Sequence, residues 1–260
     1  MATPFSGLKD VPAGIETVDK YGLKGGYFYE FNITMERGKI DIGKLGDDLT
    51  AHDGDVLTGS DMTNYKSIRI EDGATVTLDA VTMNVPVDSY HPGLTCKGNA
   101  TIVLKGENAI TVNGQHPAIF VPEGSTLTIK EDETGGSLTA ENKGTGDLVG
   151  GAGIGGGSTK DYSYDYTKCG NIEIVSGTVE ASGSPNAAGI GGGMGTEENN
   201  TSCGTITIAS GVTKVTARRR NSFGYAIGAG YNGTCGDIYI GGEKKEQNVF
   251  DVGEYIYPSE

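Results

Sequence analysis

Short runs that alternate apolar and polar residues, separated by glycine, recur along most of this chain. Ser67-Ile-Arg-Ile70 leads through Asp72-Gly73 to Thr75-Val-Thr-Leu78, and Ala100-Thr-Ile-Val-Leu104 leads to Asn108-Ala-Ile-Thr-Val112. Ala118-Ile-Phe-Val121 is followed by Ser125-Thr-Leu-Thr-Ile129 and Gly136-Ser-Leu-Thr-Ala140. A period of two in runs this short marks strands with one buried face. In Ile172-Glu-Ile174, Ile206-Thr-Ile208 and Ile238-Tyr-Ile240 the isoleucines are therefore expected inside, with Glu173, Thr207 and Tyr239 outside.

The later runs form a repeat. Gly151-Ala-Gly-Ile-Gly-Gly-Gly157, Ala187-Ala-Gly-Ile-Gly-Gly-Gly193 and Tyr225-Ala-Ile-Gly-Ala-Gly230 are each followed by a Cys-Gly-x-Ile-x-Ile block beginning at Cys169, Cys203 or Cys235. Ile154, Ile190 and Ile227 are spaced by 36 and 37 residues, and the three cysteines by 34 and 32. A fixed period in this range built from short strands predicts stacked repeats. The expectation is all-β: a single-stranded parallel β-helix, right-handed in its common form, over residues 65–242. Equivalent inward residues should stack in columns about 4.8 Å apart.

The flanks read differently. Tyr27, Tyr29, Phe31, Ile33 and Met35 share one face of an alternating run, Arg37-Gly-Lys39 reads as a turn, and Ile40 to Leu45 as the partner strand. Residues 1–64 are thus expected to be a lead-in, a short β-hairpin and a cap. Residues 243–260, with Glu243-Lys-Lys-Glu246 and Val249-Phe-Asp-Val252, are expected to cover the other end, because an open sheet edge needs covering.

Composition narrows the partners. Glycine is abundant, at 44 of 260 residues against 8 prolines, without the three-residue period of collagen. A net charge of −14 repels phosphate backbones and anionic lipid, so nucleic acid is excluded as a partner. No apolar run is long enough for a membrane-spanning helix, and no membrane insertion is expected. Met1 to Asp10 lacks the basic and apolar regions of a signal peptide, so the expectation is either a cytoplasmic or particle-borne protein or a fragment of a mature protein, with the fragment favoured. The cysteines of the repeat read as a column of buried thiols. A disulfide between adjacent windings would need Cα atoms about 4.4–6.8 Å apart, and no pairing follows from the sequence.

Candidate chemistry is sparse. Asp47, Asp48, Asp53 and Asp55 are dense enough to bind Ca²⁺ weakly, with Asp53 and Asp55 as the ligands, beside the alternative of a solvated acidic loop. No other cofactor is expected. Arg218-Arg-Arg220 is the one basic cluster, with Glu197 and Glu198 the nearest acidic run, and a salt bridge in a loop is the expected role. His52, His91 and His116 fit no nucleophile pattern. The Gly-Ile-Gly-Gly-Gly segments lack the lysine of a phosphate loop. Asp161-Tyr-Ser-Tyr-Asp-Tyr-Thr167 sets Tyr162, Tyr164 and Tyr166 on one face of an extended insertion, with Asp161 and Asp165 beside them. Tyrosine must do the ring stacking here, because the chain has no tryptophan. Rings beside carboxylates suit sugar recognition, and Tyr225 and Tyr231 in later turns would extend that surface. The alternative is an insertion packed back onto the strands.

The string Ala51-His-Asp-Gly-Asp-Val-Leu-Thr-Gly59, then Ile68 to Leu78, then the glycine and cysteine blocks, resembles β-helix repeat modules of surface proteins from Bacteroidetes and related gut anaerobes. These are described as carbohydrate-binding or pectate-lyase-like. The resemblance covers about residues 49–242 and carries no catalytic motif. Tyr27-Phe-Tyr-Glu-Phe-Asn-Ile-Thr34 is similar to the terminal strand of fimbrillin-like domains, which implies the distal part of a fimbrial or adhesin protein. Together these imply an extracellular or cell-surface module that binds a polysaccharide or a host or bacterial glycan without catalysis. A polysaccharide lyase or glycosidase on the same fold, and a structural fibre or spike, are the alternatives.

Overall fold

Chain passes from one parallel sheet to another and back make up the described part of the computed structural model, residues 38–87, 89–146, 150–159 and 166–259. Its regular structure is all-β apart from short 3-10 turns. In spatial order the first sheet runs Lys39–Asp41, Val56–Asp61, Ala74–Val85, Ala100–Val112, Thr126–Asn142, Asn171–Ile174, Ile206–Ile208, Ile238–Ile240 and Glu243–Lys245. Gly177–Ser182 and Val212–Arg218 continue it beside the second half of Thr126–Asn142. The second sheet runs Leu49–Ala51, Ile68–Ile70, Leu94–Cys96, Ile119–Phe120, Ile154–Gly155, Ile190–Gly191 and Ile227–Gly228. Except for the tail strand Glu243–Lys245, each strand of these two sheets pairs in parallel with its equivalent on the neighbouring pass, so register repeats from pass to pass.

The apolar positions of the alternating runs line up as a result. Ala74, Ala100, Leu127, Ile172, Ile206 and Ile238 are in register and buried. Two residues on, Val76, Ile102, Ile129, Ile174, Ile208 and Ile240 form a second buried column. The second sheet contributes Ile68, Leu94, Ile119, Ile154, Ile190 and Ile227. All belong to one hydrophobic cluster. Each isoleucine contributes about 1.5–3 kcal/mol by leaving water. Glu173 faces out between Ile172 and Ile174, and Thr207 and Tyr239 take the equivalent, less buried positions.

Two devices fix the turns. Gly155, Gly191 and Gly228 are in register and have φ of +133°, +131° and +126°. A Cβ on Gly155 or Gly191 would run into the carbonyl oxygen of the glycine on the next pass. Only glycine meets both conditions. Elsewhere, side-chain oxygens of turn residues accept hydrogen bonds from backbone N–H groups one pass on. Asp53 accepts from Thr75 (2.8 Å), Asp72 from Asn99 (2.8 Å), Asn99 from Thr126 (2.9 Å) and Asn171 from Thr205 (2.8 Å).

At the first end, the run Ile40 to Leu45 is strand only in its first part. Lys39–Asp41 pairs in parallel with Val56–Asp61, and Ile42–Lys44 turns into a 3-10 segment that buries Ile42. Alternation alone cannot tell a parallel partner from an antiparallel one, so the short run is ambiguous in sequence. The other expected arm, Tyr27 to Met35, lies outside the described residues. At the far end, Glu243–Lys245 lies antiparallel on Ile238–Ile240 and Glu254–Tyr257 antiparallel on Val212–Arg218. Phe250 is fully buried and its carbonyl accepts from Ala226 N (3.0 Å), next to the last strand of the second sheet.

The cysteine column is also not uniformly reduced. Cys203 and Cys235 form a disulfide, while Cys96 and Cys169 are free and buried. Burial pushes the Cys96 thiol up to about 12 and raises that of Cys169 as well.

Candidate functional site

A glycine block is followed on three passes by an insertion, and these insertions shape the surface beside the second sheet. Between Gly157 and Cys169 it is eleven residues long, between Gly193 and Cys203 nine, and between Gly230 and Cys235 four. Backbone bonds tie them to neighbouring passes: Ser158 N donates to Gln115 O (3.0 Å) on the pass before, and Thr159 N to Met194 O (2.9 Å) and Gly195 N to Tyr231 O (2.7 Å) on the pass after.

A cleft of about 390 Å³ opens where the first two insertions meet the end of Ile119–Phe120. Phe120 and Pro122 supply its apolar wall, Thr159 and Thr167 hydroxyls, and Glu198, Asn199 and Asn200 the opposite polar rim. Glu123 and Lys168 complete the mouth as an exposed ion pair 3.6 Å apart. Such a pair contributes little to stability. The Asn199 loop is held by its own hydrogen bonds, Thr196 N to Asn199 O (2.8 Å) and Asn199 N to Thr196 Oγ1 (3.1 Å). One apolar wall with carboxylate, amide and hydroxyl groups converging on it is a chemistry for polyhydroxylated ligands.

The tyrosines of the sequence reading divide. Tyr162, Tyr164, Asp161 and Asp165 lie outside the described residues. Tyr166 is half-buried, edge-on to Phe120 (5.0 Å between centroids) and to His116 (5.2 Å), and its carbonyl accepts from Gly157 N (2.6 Å). It therefore anchors the end of the insertion on Phe120 and His116, behind one wall residue of the cleft. Tyr225 is partly buried against the core. Tyr231 is exposed and packs edge-to-face on Phe223, 5.3 Å away. Phe223 is absent from the sequence reading because nothing in its local run distinguishes it from other loop residues.

Asp53 and Asp55 serve the turn they belong to. Asp55 is buried and accepts from His52 N (2.7 Å), and Asp53 accepts from Thr75 N. Among the described residues no three carboxylate, imidazole or thiol groups gather as a set of cation ligands.

The arginine cluster occupies a second groove, of about 240 Å³, lined by Thr139, Glu141, Glu180, Ser182 and the three arginines. Glu141, Ser182, Arg218 and Glu254 are in register across four neighbouring strands. Arg218 pairs with Glu180 and with Glu254 (2.5 Å), Arg219 with Asp251, and Arg220 with Glu141 (2.6 Å). These partners lie 32 to 79 residues away in sequence, which is why Glu197 and Glu198 stand nearer in the chain yet are not the partners found. Glu254 and Asp251 belong to the C-terminal tail, so the cluster fastens that tail to the sheet.

No protein-family model, no curated protein and no solved structure matches this chain.

Proposed function

We propose that the two parallel sheets are walls of one right-handed, single-stranded parallel β-helix, and that this scaffold is a glycan-binding or adhesive module that works outside the cell without catalysis. The observation that carries the reading is the cleft beside Phe120 and Tyr166, at the root of the tyrosine-rich insertion. Its groups stand on loops anchored by a rigid stack of strands, the usual placement of binding residues. The Cys203–Cys235 disulfide supports an oxidising compartment, and hence the cell surface or exterior. The repeat's likeness to surface modules of gut anaerobes supports the same reading, with a polysaccharide or a host or bacterial glycan as the partner.

The test is a glycan-array screen of the wild type, of Asn199→Ala/Asn200→Ala, and of the Tyr162/Tyr164/Tyr166→Ala triple variant. The expected result is binding by wild type that both variants lose. Because Tyr166 packs on Phe120 and His116, the asparagine variant separates lost contacts from a disturbed loop. Wild-type protein that binds no glycan overturns the reading.

A second reading, a polysaccharide lyase or glycosidase, draws on the groove in which Glu141 and Glu180 lie beside Arg218 and Arg220, with Glu254 also paired to Arg218. An arginine acting as a base would have to leave these carboxylates, and two of them fasten strands together. We therefore rank this reading second. Release of unsaturated oligosaccharides from a uronate polymer would reverse the order.

A further inference from the structure

Exposed rings recur at one corner of the passes. On each pass the chain leaves the first sheet and enters the second through a loop, and parallel register in both sheets stacks these loops along one edge. Tyr65 stands in the loop between Val56–Asp61 and Ile68–Ile70 and is 56 % exposed. Tyr90, on the next pass between Ala74–Val85 and Leu94–Cys96, is 81 % exposed. Phe223, between Val212–Arg218 and Ile227–Gly228, is 58 % exposed and carries Tyr231 against it. On an intervening pass the same corner holds His116, a buried ring that packs edge-on against Tyr166. Single exposed rings are ordinary, but here they stand at the same topological place on both sides of the cleft, on the passes of Tyr65 and Tyr90 and on that of Phe223, while the two passes before Ile154 and Ile190 carry no ring there and instead bear the insertions that form the cleft.

Resting on the glycan-binding reading, we infer that this corner is a track for a linear, uncharged polysaccharide lying along the stacking direction, with the cleft as its central subsite. Tyr90 and Phe223 are four passes apart, or about 19 Å at an interstrand spacing of about 4.8 Å. That span suits a chain of several sugars, whereas one terminal sugar would fill the cleft alone. Ring faces stack on sugar faces. Amide pairs at the same corner, Asn84 with Asn113 (3.1 Å) and Asn186 with Asn221 (2.7 Å), supply donors and acceptors without charge. The net charge of −14 works against a polyanion.

The test measures affinity calorimetrically for a size series of neutral gluco- and manno-oligosaccharides, from dimer to octamer, on the full chain. Wild type is compared with Tyr65→Ala/Tyr90→Ala and Phe223→Ala/Tyr231→Ala, whose mutated rings are exposed and outside the core. The expected result is an affinity that rises with chain length in wild type. Each ring variant should lose about fivefold or more for the octamer and retain wild-type affinity for the dimer. Equal affinity for all lengths, or ring variants that bind the octamer as wild type does, overturns the track while leaving binding at the cleft in place. Wild type that binds no member of the series overturns the track, and the array result then decides the fate of the cleft. Self-association of wild type that both ring variants abolish, read by sedimentation, would assign the corner to a second copy of this chain and overturn the track.

Discussion

Cys203 and Cys235 stand opposite each other on neighbouring passes, with Cα atoms 4.5 Å apart, and a disulfide joins them across a sequence separation of 32 residues. The bond closes the last full repeat on itself. Chain entropy gives such a loop a stabilisation of about 3–4 kcal/mol. Cys235→Ser, or reduction of wild type, should lower the urea midpoint accordingly. A midpoint unmoved by reductant would show that the bond is absent or contributes nothing. Alkylation followed by mass measurement gives a second readout: native protein should take up no label, because Cys96 and Cys169 are buried.

Ile206 lies inside a column that begins at Ala74, with Ile172 on one side of it and Ile238 on the other. Ile206→Ala should cost about 2–5 kcal/mol, through lost transfer energy and a cavity that stacked neighbours cannot close. Glu173→Ala, on the exposed face between Ile172 and Ile174, should stay within about 0.5 kcal/mol of wild type. Denaturant melts of the two variants check this, and equal losses would contradict the assignment of faces.

Gly191→Ala meets both an unfavourable φ and the Gly228 carbonyl, so a loss of at least about 1–3 kcal/mol is expected. Gly253→Ala is the control, since a Cβ there meets nothing within 4 Å. A neutral Gly191→Ala would mean that the passes can move apart.

Asp79 links three passes. Hydrogen bonding to Lys39 (2.5 Å), together with the Lys105 charge (3.7 Å), lowers its pKa below the ordinary carboxylate value. A lowered folded-state value gives stability that is complete above the unfolded pKa of about 3.9 and is lost as pH falls through the folded one. Asp48 is lowered in the same direction, first by the Ser67 N–H (2.9 Å) and then by Arg69. Melting temperature should therefore fall from about pH 5 downward, and Asp79→Asn should flatten part of that slope. An unchanged acid slope in the variant would remove Asp79 as a contributor.

How much of this is legible in the sequence depends on the range of the interaction. The isoleucine columns and the glycine corners are, because they repeat at 32 to 37 residues in the last three passes and strand alternation fixes the faces. The parallel pairing of Lys39–Asp41 is not, since a three-residue run fits either direction of pairing. The partners of Arg218, Arg219 and Arg220 are set by which passes and which tail segments come to lie side by side, and local charge patterns do not report that. Of the expected sugar site, Tyr231 was visible as an exposed aromatic, whereas the cleft depends on where two insertions meet.

The glycines at 155, 191 and 228 share a positive φ that side chains disfavour, and the first two also leave no room for a Cβ, while the insertions that follow differ from eleven residues to four without disturbing the columns behind them. Inheritance can thus rewrite one without rewriting the other. New specificities can arise by lengthening, trimming or recolouring these outer segments, and the price in foldability stays small because the frame they hang from never takes part in the change.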